Sequence, residues 1–222
     1  MPEKLKLTPA QTAVEIARRS SRLAAEENRR VIIGIAGGPG SGKSTLAADV
    51  IGILNGQVDG SAARVPMDGF HMMQSKLEAE ELVAHKGAPQ TFEAREYILL
   101  LKHLRMATDP VSVPGYSRVK EEVVHDAFTI AANVPILITE GNYLLLESSP
   151  WHEIRKLMDL AFYIDVPRNI VRKRLLKRHA EHGNFTEERN KRHVEEVDLV
   201  NYDAVAESAG RSDVWIQVDT NT

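Results

Sequence analysis

The sequence predicts an α/β fold, a mainly parallel sheet layered between helices, on three observations. Short β-branched runs recur along the chain, separated by segments of helical length, and parallel strands require crossovers of that kind. One such run leads into "GIAGGPGSGKST", Gly34 to Thr45, where five glycines and a proline separate a strand-like from a helix-like segment. Two other runs end in acidic residues, Asp68 and Glu140, at the carboxyl ends where sheets of this type bind ligands.

The elements follow in order. Thr8 opens a capping signal, with Pro9 at the first helical position and Gln11 at the third, ahead of Val14, Ile16, Ala17 and Leu23. An N-terminal helix is expected to about Asn28, so that residues 1–29 form one helical segment. Val31 to Ile35 reads as a buried parallel strand, and Lys43 to Leu54 restores helical spacing through Leu46, Val50 and Ile51. "ARVPMD" is expected as a strand ending at Asp68, "EAREYILLLKHLRM" as a helix and "VPILITEG" as a strand ending at Glu140. "MDLAFYIDV" is a strand ending near Asp165. "RNIVRKRLLKRHAEH" is helical, helix continues from about Glu187 to Ala209, and "DVWIQV" closes the sheet. With no repeat, low-complexity tract or Gly/Ser linker, residues 1–222 read as one domain.

Composition narrows the function. At 43% hydrophobic residues the 222-residue chain can bury a substantial core, and its net charge of −3 gives no electrostatic reason to expect nucleic acid or an anionic membrane as partner. The absence of cysteine excludes a disulfide framework, a thiolate metal site and a cysteine nucleophile. "MPEKLKLTPAQTAVEIARRSS" has no apolar secretory core, and no later run is long enough to span a bilayer, so a cytoplasmic protein without membrane insertion is expected. A homodimer is compatible with the sequence, although no heptad or exposed apolar stripe dictates one.

The glycine loop matches G-x-x-x-x-G-K-[ST] at every specified position. Glycines let successive N–H groups converge on one point, and the helix starting near Lys43 adds its positive dipole end. Gly38, Pro39, Gly40, Ser41, Gly42, Lys43, Ser44 and Thr45 are therefore assigned to the donor phosphates of ATP, with Lys43 neutralising charge and Ser44 ligating Mg²⁺. The fold class becomes the P-loop NTPase form of the three-layer α/β/α sandwich, with a helical lid. No G-x-G-x-x-G register fits the loop, no N-K-x-D lies on a strand end, and no LSGG-like signature appears. These absences argue against a dinucleotide site, a GTPase and a transport ATPase.

Asp68 is placed to take or orient the proton of an attacking hydroxyl, given that its strand lies beside that of the loop. Glu140 is placed to hold Mg²⁺ through water or to orient substrate. His71 either contacts substrate or packs. Arg174 and Arg178, one turn apart before "HGNFTEE", suit a lid spanning about residues 178–190 that stabilises the transferred phosphoryl group, whereas Lys173 and Lys177 read as a solvated face. The eight histidines show no recognisable metal-ligand spacing.

The Walker A loop, "MDGFH", "KGAPQTFE", "PGYSR", "TEGNYLLL" and "YIDVPRNIVRKRLLKRH" together resemble the P-loop kinases of the uridine kinase, phosphoribulokinase and bacterial pantothenate kinase group. Within it they are most like the small kinases described as fructose transport system kinases or nucleoside/nucleotide kinase family proteins. The resemblance runs from about Val31 to the C-terminus. It implies Asp68 as catalytic base, Glu140 as an aid to metal or substrate, and Arg174 or Arg178 as the lid arginine. The acceptor end would comprise Asp68, His71, Tyr116, Arg118 and Glu140. Arg118 suits a carboxylate or phosphate on the acceptor, and equally a pairing with Glu121 or Glu122. The expected activity is ATP-dependent phosphorylation of a small-molecule hydroxyl, sugar-like by this resemblance. A nucleoside or pantothenate-type acceptor is the alternative. An ATP-binding regulatory partner of a transporter is the reading from another class.

Overall fold

A computed structural model describes residues 1–117, 119–120, 122–182 and 186–220, with His182 by its backbone alone. Arg118, Glu121 and residues 183–185 of the expected lid lie outside them.

In chain order the elements are β1 (Glu3–Leu7), α1 (Pro9–Glu27), β2 (Val31–Ala36), α2 (Lys43–Gln57), β3 (Ala62–Pro66), α3 (Gln74–Ala79), α4 (Ala94–Met106), β4 (Val111–Ser117) and β5 (Glu122–Ile130). Then come β6 (Ile136–Gly141), α5 (Ile154–Leu157), β7 (Leu160–Asp165), α6 (Arg168–His182), α7 (Glu187–His193), α8 (Leu199–Glu207) and β8 (Val214–Val218). Six strands form one parallel sheet in the order β1-β8-β7-β2-β6-β3, and β4 and β5 form a separate antiparallel pair.

β2 and β6 are buried at every position, as central strands covered on both faces must be. Alternate side chains of β2 enter different cores. Val31, Ile33 and Ile35 pack with Ile16 of α1, Val50 and Leu54 of α2, and Leu175 of α6. Ile32 packs with Tyr97, Leu101 and Leu104 of α4 and with Ile154 of α5. The sandwich read from the sequence is the observed architecture.

The capping box at α1 forms as expected. Thr8 Oγ1 accepts from Gln11 N at 3.3 Å, Gln11 Oε1 accepts from Thr8 N at 3.0 Å, and Asn28 ends the helix in the left-handed region. The segment 1–29 is not wholly helical, however. Glu3–Leu7 is an edge strand paired in parallel with β8, turning Leu5 and Leu7 toward the core while its lysines and glutamate blunt the open edge. The β4–β5 pair was also not expected. Pro114 and Gly115 sit at an irregularity between Val113 and Gly115, and such residues read as loop in a sequence.

Two further expectations are corrected. The strand expected to end at Asp68 ends at Pro66, and Asp68 lies in a 3₁₀ turn, Met67–Phe70. β3 is not beside β2, because β6 lies between them and pairs with both. Among the described residues no helix is long and apolar enough to cross a membrane.

Candidate active site

The loop between β2 and α2 turns on two glycines with positive φ, Gly40 at +73° and Gly42 at +87°, a conformation that side chains with a Cβ rarely adopt. Gly42 caps the N-terminus of α2, so the unpaired amides of the first turn face the loop's hollow. Lys43 is buried across that hollow. Its Nζ donates to Gly38 O at 2.9 Å and lies 3.4 Å from Ser41 Oγ.

β6 delivers Glu140, which is 2% exposed, to the same place. Ser44 Oγ donates to Glu140 Oε2 at 3.2 Å, and Arg64 Nη2 of β3 donates to Glu140 Oε1 at 2.5 Å. The carboxylate is thus fixed at one oxygen by a guanidinium, while the other oxygen faces the Ser44 hydroxyl. A hydroxyl and a carboxylate at this separation are hard oxygen donors of the type Mg²⁺ prefers, with room for water in its shell. Arg64 carried no motif signal. An arginine two residues before a strand end is noticed only once β3 and β6 are known to pair.

The turn after β3 brings in Asp68 and His71. Its close packing on β4 depends on Gly69, where a Cβ would lie 2.4 Å from Pro114 O. His71 Nδ1 lies 2.8 Å from the Asp68 carbonyl oxygen; a carbonyl only accepts, so the Nδ1 proton is donated there. The His71 ring packs against Phe92 and Tyr116, with centroids 4.1 and 4.5 Å away. His71 thus packs, as one of its two readings expected, and it also lines the cavity of the site.

These elements enclose a cavity of about 640 Å³. Pro39, Gly40, Gly42, Lys43, Ser44 and Thr45 line it from the loop and the start of α2, and Asp68, His71, Tyr116 and Glu140 line it from the turn after β3, β4 and β6. Arg174 and Arg178 of α6 line it as well, and a Cβ on Gly42 would lie 3.8 Å from Arg174 Nη1, at the start of α2. Both arginines that the sequence placed at an expected lid therefore line the cavity. Arg168 and Arg172 instead pair with Asp203 and Glu195 on the surface. Of the expected site residues with described positions, Gly38 and Ser41 are not among those lining the cavity and instead meet Lys43 Nζ through Gly38 O and Ser41 Oγ.

The "KGAPQTFE" stretch that the sequence singled out reaches the cavity, and further lining residues from α6 and α7 were not named individually. Lys86 and Gly87 arrive on the segment before α4, held where Tyr143 donates its hydroxyl to Gly87 O and Gly87 N donates to Thr91 Oγ1 at 3.0 Å. Burial raises the Tyr143 pKa above its ordinary value, which keeps that phenol a donor. Arg189, Asn190, His193 and Asp198 come from α7 and the turn behind it, together with His179 of α6. Their sequence separations match no motif, so only the packing of α6 on α7 reveals them.

Comparison with known proteins agrees with this geometry. The sequence pattern of the Phosphoribulokinase / Uridine kinase family matches residues 32–220. A provisionally named uridine kinase of Schizosaccharomyces pombe, C227.14, is 34% identical over 199 residues, covering 86% of this chain and 85% of its own. The pantothenate kinase of Latilactobacillus sakei is 31% identical over 150 residues, 66% of this chain and 48% of that enzyme. A crystal structure from Silicibacter sp. TM1040, provisionally described as a fructose transport system kinase, superposes with a TM-score of 0.79 at 28% identity, covering 90% of this chain and 98% of that one. The chain belongs to the phosphoribulokinase/uridine kinase family and is a P-loop kinase, an enzyme that transfers a phosphoryl group to a hydroxyl.

Proposed function

We propose that the enzyme transfers the γ-phosphoryl group of ATP, with Mg²⁺, to a hydroxyl of a small sugar-like metabolite. The observation that carries this reading is the single cavity shared by the P-loop, the Ser44–Glu140 pair and Asp68. Lys43 and the amides at the start of α2 hold the donor's terminal phosphates. Ser44 and Glu140 would hold the metal, which would supply neutralisation of the donor's phosphate charge. Asp68 accepts the acceptor's hydroxyl proton as its oxygen bonds to the γ-phosphorus and the bond to the β,γ-bridging oxygen breaks, leaving ADP. Arg174 and Arg178 offset the charge spread over the transferring group.

The acceptor lies on the wall of His71, Tyr116 and Phe92 beside Asp68. Stacked rings next to a carboxylate suit the C–H face of a sugar. They suit a planar base equally well, so the relatives named as uridine and pantothenate kinases support a nucleoside or pantothenate-type acceptor as a second reading. A panel of sugars, nucleosides, pantothenate-like acids and sugar phosphates, scored by stimulated ADP release, separates these readings. Asp68→Asn should lower kcat by about 10²- to 10⁴-fold while ATP still binds, and Lys43→Ala should lose ATP binding. Full activity in Asp68→Asn overturns the base assignment. If no acceptor raises turnover above the water background, the reading of an acceptor-free regulatory protein gains instead.

A further inference from the structure

We propose that α6 and the segment joining α7 to α8 carry a transition-metal site of their own, formed by His179, His193 and Asp198 and suited to a zinc-type divalent cation. One ligand atom from each of the three lies within 4.8 Å of the others, and His179 Nε2 is 2.8 Å from Asp198 Oδ2. A tetrahedral ion with bonds of about 2.0–2.1 Å sets its ligands roughly 3.4 Å apart, which falls between those two values. Small inward shifts of the His193 ring, whose centroid lies 5.2 Å from that of His179, complete the set.

The backbone is shaped for this cluster. On a regular α-helix, residues five apart point about 140° away from each other. Between α7 and α8 the chain widens into a π-turn, Val194–Asp198, closed by Leu199 N donating to Val194 O, and this brings His193 and Asp198 to one side. Such turns are poorer in packing than α-helix and are found disproportionately at functional positions. His179 comes from α6, so an ion here would join the helix that bears Arg174 and Arg178 to the α7–α8 segment.

The ligand chemistry selects the metal. Two imidazoles and one carboxylate suit zinc and its neighbours and do not suit Mg²⁺ or Ca²⁺, which demand oxygen shells. Asp198 is 8% exposed and all three residues line the active-site cavity, so a fourth coordination position opens toward the site. Arg178 and Arg189 line the same wall, and their positive charge favours an anionic oxygen in that position. The site stands independently of the acceptor's identity and of the assigned base.

Untagged, chelator-stripped protein titrated with Zn²⁺ by calorimetry should bind one equivalent, and Co²⁺ in its place should give a tetrahedral visible spectrum. His193→Ala and Asp198→Asn should each weaken Zn²⁺ binding at least about tenfold and abolish the Zn²⁺-dependent rise in thermal midpoint. Exposed His103→Ala should bind as the parent does, and Lys43→Ala should keep the zinc site while losing ATP. Circular dichroism of the two ligand variants establishes that they fold. Absence of saturable Zn²⁺ binding in the parent, or parental affinity in both ligand variants, overturns the site.

Discussion

Replacing Arg64 by Met tests how the Glu140 carboxylate is held. Glu140 keeps 3% of its side chain exposed, against 32% for Arg64, so the substitution removes the charged partner of a nearly buried carboxylate and leaves an apolar stem in place. Breaking a fully buried pair from one side costs about 3–5 kcal/mol. Two features lower that here. Water can reach the space left by the partly exposed guanidinium, and Arg64 Nε, which has no hydrogen-bond partner among the described residues, no longer needs one. The expected loss is about 2 kcal/mol. With a urea m-value of about 2–3 kcal/mol/M, the midpoint should fall by roughly 1 M. Glu140→Gln in the same chain removes the stranded charge, so the double variant should recover part of the loss, with a coupling of about 1–2 kcal/mol in the cycle. The Mg²⁺ concentration for half-maximal activity should rise in Arg64→Met, because the oxygen beside Ser44 is no longer fixed from behind. Parental stability in Arg64→Met together with additive single effects would refute the reasoning.

Gly69→Ala drives a methyl group against the Pro114 carbonyl at 2.4 Å, where backbone rather than a flexible side chain must yield. It should cost about 1–3 kcal/mol by chemical unfolding and lower kcat through displacement of Asp68; Gly52→Ala in α2, with nothing within 4 Å, should be neutral or stabilising. Glu15 is held at a pKa of about 2, down from 4.5, first by the hydrogen bond from Arg18, with burial opposing it and the hydrogen bond and charge of Arg19 lowering it further. A depressed carboxylate pKa contributes stability above pH 4.5 that is lost as pH falls toward 2. After allowance for solvent screening, the parent should exceed Glu15→Gln by about 1 kcal/mol at pH 7 and by nothing at pH 2, and a pH-independent difference would contradict this.

The parts of the molecule legible in the sequence are those governed by local chemistry. The capping box at Thr8 and Gln11 satisfies helix-end donors within one turn of chain. β2 and β6 are read from continuous apolar runs because both faces are covered. The P-loop is read because its glycines and Lys43 are consecutive. What escaped depends on contacts between distant segments. β1 shows only a short alternation among charges and is a strand because β8 offers it an edge. Arg64 meets Glu140 from 76 residues away, across a strand pairing that no local pattern specifies. The His179, His193 and Asp198 group depends on a π-turn, for which the sequence has no periodic signal. Asp68 lines the cavity, but not by the route the sequence suggested. It reaches the cavity through a 3₁₀ turn beyond β3, with β6 standing between its strand and that of the loop.

Donor and acceptor ends differ in what supports them. Lys43, Ser44 and Glu140 start or end elements of the parallel sheet and its first crossover, whose side chains fill both cores. Moving them means disturbing β2, β6 or α2. The proposed acceptor wall comes instead from structure outside the sheet: the Met67–Phe70 turn, the segment carrying Lys86 and Gly87, and Tyr116 on the β4–β5 pair. β5 is largely exposed, with Phe128 at 44% and Val124 at 41%. Substitutions at those positions cost the core little, since exposed positions usually shift stability by no more than about 0.5 kcal/mol. One catalytic frame can thus serve different hydroxyl acceptors across a family. For the same reason, swapping the β4–β5 segment between this chain and a relative of known substrate should transfer acceptor preference while the Kd for ATP stays within about twofold of the parent; loss of ATP affinity would show that the two ends are not separable.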